Sequence, residues 1–360
     1  MKALLSNHSI VTRFLNLGLG KSIGRGVGLK EIPVPPISDD EILVKVRAVA
    51  LNPTDYKHID VISPPNSIIG CDYAGEVASV GKNALGGWKV GDRVAGAVHG
   101  GLYPDRGAFA EYLKVPGDLA WKPPADMADV EAATYGISAV TAMLALNVRL
   151  GIPWATEGKV VDAASGNGAV ILVYAGSTSV GLFSIQLAKA AGYTVVTTAS
   201  PRSFDLVKKY GADKVFDYHS STAADDIINE FPIITYAVDC FSEGNSTEFC
   251  AKVLRNTGGK VVTLLDRGKS KTPGVQYELI MAYTLFGHAF QWLPPIGPKF
   301  EARISDRKAL ARFYGSLPRL TEVVKPPPVS AIDGGFDGIL AGLDQLRNGQ
   351  VSGKKLVVRL

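Results

Sequence analysis

Residues 171–193 read ILVYAGSTSVGLFSIQLAKAAGY. An apolar run leads into small hydroxylated residues. Apolar positions then follow at helical spacing, with Val180, Phe183 or Ser184, Leu187 and Ala191 on one face. The stretch therefore predicts a strand, a tight turn and an amphipathic helix, which is the outline of a dinucleotide-binding turn. The GxGxxG fingerprint is incomplete. Gly176 and Gly181 remain, with Ser177, Thr178 and Ser179 between them. A helix start still offers unpaired N–H groups and partial positive charge to a phosphate. Gly176 is expected to take the turn conformation, Gly181 to let helix and strand approach, and the hydroxyls to add donors. The same residues would suit an ordinary strand-to-helix turn, so neighbouring segments must decide.

Downstream, strand and helix patterns alternate. TVVTTAS leads into PRSFDLVKKYG, with Gly211 as the helix stop, and KVFDY, AADDIINEF, ITYAVDC, NSTEFCAKVLRN and KVVTLL follow. Near-continuous apolar strands between helices predict an α/β unit with a doubly wound parallel sheet. Upstream the texture is β. EILVKVRAVALN, DYAGEVASVG, DRVAGAV and GAFAEYLKV are short strands punctuated by turn residues, as in a barrel-like domain. Between the two regions, DVEAATYGISAVTAMLALNV has helical spacing, and residues 149–168 read as a polar surface loop. The tail FDGILAGLDQLRNGQVSGKKLVVRL predicts one helix and a strand that could join either sheet.

At 360 residues, two domains are expected. A hydrophobic share of 46% and a charged share of 20% are ordinary for a globular protein. No apolar run has the length of a membrane helix, and MKALLSNHSIVTRF lacks the h-region of a signal peptide. Cys71, Cys240 and Cys250 form no CxxC pair, which suits a reducing, cytoplasmic setting. The net charge of +4 is scattered rather than striped, which argues against nucleic acid but suits an anionic cofactor or an acidic carrier protein. A solvated surface with a slight lysine excess would give the same balance.

The end of the second strand bears on the cofactor. An NAD-binding domain usually places an acid there, about 20 residues after the turn, for the ribose 2′-OH. Here Ser200, Pro201, Arg202 and Ser203 occupy that place. A carboxylate would repel a 2′-phosphate, whereas hydroxyls and a guanidinium suit one, so NADPH is expected. Tyr218 could stack on the adenine or face the core.

Taken in order, NPTDYK, GCDYAGEVASVG, VGDRV, GAFAEYLKV and GSTSVG resemble the medium-chain dehydrogenase/reductase superfamily over nearly the whole chain. ASPRSFDLVKKYGADKVFDY, AVDCFSEGNSTEFC and GQVSGKKLVVRL narrow the resemblance to the fungal trans-acting enoyl reductases, which serve polyketide synthases with an inactive enoyl reductase domain. The resemblance implies a GroES-like β-barrel catalytic domain (1–135 and 305–360) and a Rossmann domain (136–304), with NADPH in the cleft and tail residues closing over it. It also raises the question of zinc. Zinc alcohol dehydrogenases carry a Cys near the NPTD stretch and a His-Glu after the Gly of the GCD stretch. This chain has Asn52-Pro53-Thr54-Asp55 and Gly70-Cys71-Asp72, and no four-Cys site, so no metal is expected. Reduction of a C=C bond conjugated to a thioester needs none.

The implied reaction is hydride transfer to the β-carbon of an α,β-unsaturated acyl thioester on a polyketide synthase carrier protein. Carried over by matched motif, Lys57 is the catalytic candidate, binding a ribose hydroxyl or relaying a proton, and Thr54, Asp55 and Tyr56 join it as cofactor contacts. Ser177, Thr178, Ser179 and Val180 face the pyrophosphate or 2′-phosphate side. Ser200, Pro201, Arg202, Ser203 and Tyr218 face the adenosine end. Leu264 and Leu265 lie under the nicotinamide, the latter through its backbone, and Gln350 and Val351 close on the cofactor. Val140, Thr141, Ala142, Met143, Leu144, Ala145, Leu146 and Asn147, with Thr284, Leu285, Phe286, Gly287 and His288, are the acyl-tunnel candidates, although an apolar lining reads equally as core. The five histidines look scattered. Two alternatives stand beside this reading: a quinone or enone reductase acting on free small molecules, and a non-catalytic NADPH-binding regulatory protein. The charged, proline-containing DRGKSKTPGVQ after VVTLL is expected to blunt a sheet edge and keep the chain monomeric, with no membrane partner.

Overall fold

The computed structural model describes residues 1–155 and 168–360, so most of the loop expected over 149–168 lies outside the described residues. The chain forms two compact units. The first comprises Met1–Ile137, Tyr283–Pro318 and Pro328–Leu360; the second comprises Ser138–Ala282 and Arg319–Pro327.

The first unit opens with two antiparallel strands, β1 (Lys2–Ser6) and β2 (Val27–Glu31), joined through a helix, α1 (Ile10–Leu19), that the sequence reading did not place. Ser9 caps α1 by accepting the Thr12 N–H at 3.1 Å, and Gly20 ends it in the left-handed region at φ 63°. Strands β3 (Glu41–Ala50), β4 (Asp72–Val80), β5 (Arg93–Ala97), β6 (Tyr112–Pro116) and β7 (Ala120–Trp121) follow. Between β3 and β4 lie α2 (Pro53–Lys57) and a π-helical turn, His58–Ile62. The helix read over residues 129–148 is broken into α3 (Asp129–Ala132), a 3₁₀ turn (Ala133–Tyr135), α4 (Ile137–Met143) and a π-helical turn (Leu144–Arg149). Its interruption has a local cause. The Ile137 N–H donates to the Asp72 carboxylate at 2.6 Å, and a Cβ on Gly136 would lie 2.2 Å from the same oxygen.

The second unit runs β8 (Val170–Tyr174), α5 (Ser179–Ala190), β9 (Thr194–Ala199), α6 (Phe204–Lys209), β10 (Lys214–Asp217), α7 (Ala223–Glu230), β11 (Tyr236–Asp239), α8 (Ser246–Val253), β12 (Gly259–Thr263) and β13 (Val275–Leu279). All six strands are parallel, in the order β10-β9-β8-β11-β12-β13. This is the doubly wound Rossmann order, with its switch point between β8 and β11. Leu172, Val196, Ala237 and Val261 pack with Ile227, Ile228 and Leu254 from the helices in one buried cluster, as near-continuous apolar strands require. The VVTLL strand is not the edge, contrary to the sequence reading. β13 pairs along it, and Glu278 of β13 takes Lys260 at 2.7 Å and Arg149 at 3.6 Å.

The chain then supplies β14 (Phe290–Gln291), β15 (Lys299–Phe300), α9 (Ile304–Leu320), β16 (Val329–Ile332), α10 (Gly335–Arg347) and β17 (Lys355–Arg359). The main sheet of the first unit has the order β16-β17-β3-β4-β5-β7, with β6 also on β3, so the last strand joins this sheet. Apart from the parallel β16–β17 pair the sheet is antiparallel, and it forms the GroES-like β unit. Arg319–Pro327, which the sequence reading placed in the catalytic domain, group with the second unit, and residues 283–304, which it assigned to the Rossmann domain, group with the first. Their aromatic rings explain why. Tyr283, Phe286 and Phe290 pack on His99, and Trp292 packs on His58.

Candidate functional site

In the second unit the turn between β8 and α5 has the form of a dinucleotide-binding turn, though not in the way the glycines suggested. Ala175, not Gly176, takes the left-handed conformation, at φ 58°. Gly176 serves a different need, because a Cβ there would lie 2.1 Å from Thr197 Oγ1. Gly181 does allow close approach, since its Cβ would sit 2.5 Å from the Ala175 carbonyl. The Thr178 hydroxyl is used inside the turn. It donates to the Ala175 carbonyl at 2.9 Å and accepts the Gly181 N–H at 3.0 Å, which makes Thr178 the N-cap of α5. The N–H groups of Ser179 and Val180, in the same first turn, are not engaged by that cap. Ser177 and Ser179 stand half-buried on the rim. These donors and the positive end of a 12-residue helix fit a pyrophosphate.

Ser200 immediately follows β9, the strand beside β8, so it stands at the same carboxyl edge of the sheet as the turn. Pro201 and Arg202 are exposed, and Ser203 is buried at the base of a 3₁₀ turn. Tyr218 is 42% exposed and its ring lies 6.3 Å from that of Tyr174, which rules out a core role. A feature missed in the sequence sits at the switch point. The buried Asp239 carboxylate, at the end of β11, accepts the N–H groups of Phe241 and Ser242 and the hydroxyls of Ser246 and Thr247, all at 2.6–3.1 Å. Ser242 Oγ in turn accepts the Leu264 N–H at 2.8 Å, which fixes the backbone after β12. A lone acid closing an apolar strand before a Ser/Thr-rich loop was the available signal.

The first unit holds a buried polar centre. The Asn52 N–H donates to Asp55 at 2.7 Å and caps the start of α2, while its side-chain amide donates to Asp72 at 2.8 Å. Lys355 Nζ donates to Asn52 Oδ1 and lies 3.5 Å from Asp72. Burial, helped by Asp72, pushes the Asp55 carboxyl up to about 7, and burial also raises Asp72 against the pull of Lys355. Next to this cluster the Tyr283 hydroxyl meets Thr54 Oγ1 at 2.8 Å and Cys71 Sγ at 3.5 Å. His58 Nδ1 lies 2.9 Å from the Thr54 carbonyl, so it is the protonated nitrogen and Nε2 keeps its lone pair. His99 stacks on Tyr283 with ring centres 4.1 Å apart. Two of the five histidines thus converge, contrary to the scattered reading. Burial holds His58 down to about 4 and His99 well below its ordinary value, and raises Tyr283 and Cys71. At neutral pH both imidazoles are therefore neutral and the phenol keeps its proton. The Nε2 atoms of His58 and His99 are buried without a hydrogen-bond partner. A small pocket, with room for about one water, opens beside His99, lined also by Tyr103, Arg106 and Phe286. The arrangement can donate a hydrogen bond from Tyr283 and hold lone pairs on two neutral imidazoles.

Among the remaining sequence candidates, Tyr56 and Lys57 are half-buried on α2, and the Arg347 guanidinium covers the Tyr56 ring at 5.4 Å. Asp55 is buried, so its carboxylate serves the turn. Gln350 is exposed and its N–H returns to the Gln345 carbonyl at 3.0 Å, and Val351 follows half-buried. Leu265 is half-buried beside Leu264. Val140 through Leu146 are buried, and the Asn147 amide donates to the Ile152 and Pro153 carbonyls. Leu285 and Phe286 are buried, Thr284 donates to Asp306 at 2.6 Å, and His288 is exposed. Gly287 sits at φ 75° where a Cβ would press on Arg307, so it makes room for the Arg307–Asp118 pair at 2.6 Å.

Zinc does not suit these residues. Among the described residues no three His, Cys, Asp or Glu side chains form a metal cluster, and the Asp55 and Asp72 carboxylates are already bonded to Asn52, Ile137 and Lys355. No helix among the described residues is long and apolar enough to cross a membrane.

Comparison with known proteins agrees with this division. Residues 38–125 match the alcohol dehydrogenase GroES-like domain, and residues 179–281 match the zinc-binding dehydrogenase family. The chain is 37% identical over 341 residues to the trans-enoyl reductase FSL5 of Gibberella zeae, covering 91% of this chain and 92% of the relative. It is 41% identical over 263 residues to the trans-enoyl reductase TOXD of Cochliobolus carbonum, covering 71% of this chain and 85% of that one. A mycobacterial protein solved in complex with NADPH superimposes over the whole length of both chains with a TM-score of 0.73 at 19% identity, a likeness of fold.

Proposed function

The chain belongs to the fungal trans-enoyl reductases of the medium-chain dehydrogenase/reductase superfamily, oxidoreductases of C=C bonds, and from that premise we propose that it reduces an α,β-unsaturated acyl thioester with NADPH, in trans to a polyketide synthase. The observation that carries the reading is the identity to FSL5 along nine-tenths of the chain. When bound, NADPH would supply a hydride for the β-carbon. The C=C electrons then move onto the thioester oxygen as an enolate, and a proton goes to the α-carbon.

The chain's own residues have distinct tasks. The N–H groups of Ser179 and Val180 and the dipole of α5 hold the pyrophosphate. Ser200 and Arg202 hold the 2′-phosphate, which an acid at that place would repel. Lys57, at the end of α2, binds a ribose hydroxyl and keeps the cofactor in register. The acyl chain reaches the enzyme on the synthase's carrier protein, because the synthase's own enoyl reductase domain is inactive.

The test follows reduced-cofactor oxidation with a crotonyl thioester on a carrier protein, with a simple quinone in parallel. NADPH should serve far better than NADH, and the thioester should be consumed while the quinone is not. Lys57→Ala should lower kcat/KM by at least about a hundredfold, the loss typical of a positioned catalytic group. Quinone turnover without thioester turnover would sink the acyl reading, and full activity of Lys57→Ala would remove that lysine from the chemistry.

A further inference from the structure

Helix α1 is inside out. Its buried side chains are polar: the Arg13 guanidinium donates to the Ile62 carbonyl at 2.9 Å, and the Asn16 amide donates to the Asp60 carbonyl at 2.6 Å. These bonds satisfy the carbonyls of the π-helical turn after α2 and hold α1 in place. The exposed side chains are apolar. Val11 is 64% exposed, Leu15 52%, Leu17 and Leu19 each 55%, with Ile10 and Phe14 beside them. A surface helix normally does the reverse, and soluble monomers rarely leave so large an apolar face open.

Charge and composition together say what would cover it. Residues 1–30 contain five Lys or Arg and no Asp or Glu. Lys21 and Arg25, both exposed, directly follow the helix. The exposed face of α1 carries no Trp, Tyr or Arg, the residues that anchor protein–protein hot spots; its Leu and Val are the types under-represented there. Aliphatic side chains flanked by cations fit the boundary between headgroups and acyl chains of an anionic bilayer.

We propose that α1, with Lys21 and Arg25, docks the protein reversibly on an anionic lipid surface, lying in the interface rather than crossing it. The inference is independent of the proposed reaction. It departs from the expectation of no membrane partner.

The full chain is floated with phosphatidylcholine vesicles containing about one-third phosphatidylserine, and with phosphatidylcholine alone. It should float with the anionic vesicles and at least about tenfold less with the neutral ones. Raising salt from about 0.1 M to about 0.5 M should release it. Lys21→Glu with Arg25→Glu should lower binding about tenfold or more, because each cation near such a surface contributes roughly fivefold. Leu15→Glu with Leu17→Glu should abolish flotation, with circular dichroism and the thermal transition unchanged. A wild-type chain that stays with the unbound fraction, or charge-reversed variants that float as well as wild type, overturns the proposal. Self-association removed by Leu15→Glu/Leu17→Glu without vesicle binding would assign the face to a second copy and equally overturn it.

Discussion

The turn of the second unit and the polar centre of the first are both small polar devices in apolar surroundings, yet they are assembled differently. In the turn, Thr178 reaches three residues back to Ala175 and three forward to Gly181, and its rim stays half-exposed. In the centre, Asn52 meets a lysine 303 positions later, and Asp72 reaches 65 positions to Ile137, with the side chains of Asn52, Asp72 and Lys355 all buried. Water can replace a lost partner at the first place and cannot at the second. Errors in the centre should therefore cost more, and they should depend on protonation.

Lys355→Met is the strongest way to break this contrast. It leaves the Asp72 carboxylate buried with only Asn52 and Ile137 as donors, and should destabilise the protein by about 3–5 kcal/mol in denaturant unfolding. A loss below about 1 kcal/mol would mean that burial already keeps Asp72 protonated at neutral pH and that the pair carries no charge.

Asp55 sharpens the contrast through pH. Its carboxyl titrates at about 7 in the folded protein, because of burial and then Asp72. In the unfolded chain it titrates at about 4. Folding thus takes up a proton between those values, and this group's contribution to stability falls as pH rises through that window. Asp55→Asn removes the titration. Its unfolding free energy relative to wild type should climb by about 2–3 kcal/mol between about pH 5 and pH 8. His58 acts in the opposite sense. Its lowered value makes stability fall as pH drops from about 6.5 toward 4, but it does so in both proteins and cancels from the difference. A difference that stays constant with pH would show Asp55 ionised throughout.

The same contrast explains what the sequence made legible. The alternation of strands and helices after Ala169, the helix start at Ser179 and the missing acid at Ser200 are short-range patterns, and each can be read within a few turns of chain. The strand pairing of β13 was not legible, because a parallel edge strand after a charged loop carries no periodic signal of its own. Nor was the meeting of Tyr283 with Thr54, His58 and Cys71, whose separations exceed 200 residues. Helix α1 was hidden for another reason. Its apolar residues face outward and its polar ones inward, so the rule that reads burial from hydropathy has the wrong sign there.

One short-range detail still misled, and it supplies the smallest expected effect. The adjacent pair Ala175-Gly176 looks interchangeable in sequence, but the backbone assigns the two residues opposite needs. Ala175 holds φ 58°, where a Cβ crowds the following carbonyl at a cost of roughly 1–2 kcal/mol. Glycine would relieve that crowding and lose part of the gain to its freer unfolded chain, roughly 0.4–1 kcal/mol. Ala175→Gly should therefore stabilise the second unit by up to about 1 kcal/mol, read as a higher denaturant midpoint at unchanged slope. Gly176→Ala should do the reverse by about 1–3 kcal/mol, because its methyl would meet Thr197 Oγ1, a buried hydroxyl donating to the Val173 carbonyl at 2.6 Å. If both variants matched wild type, the turn would be relaxing around either residue, and the incomplete fingerprint would carry no strain at all.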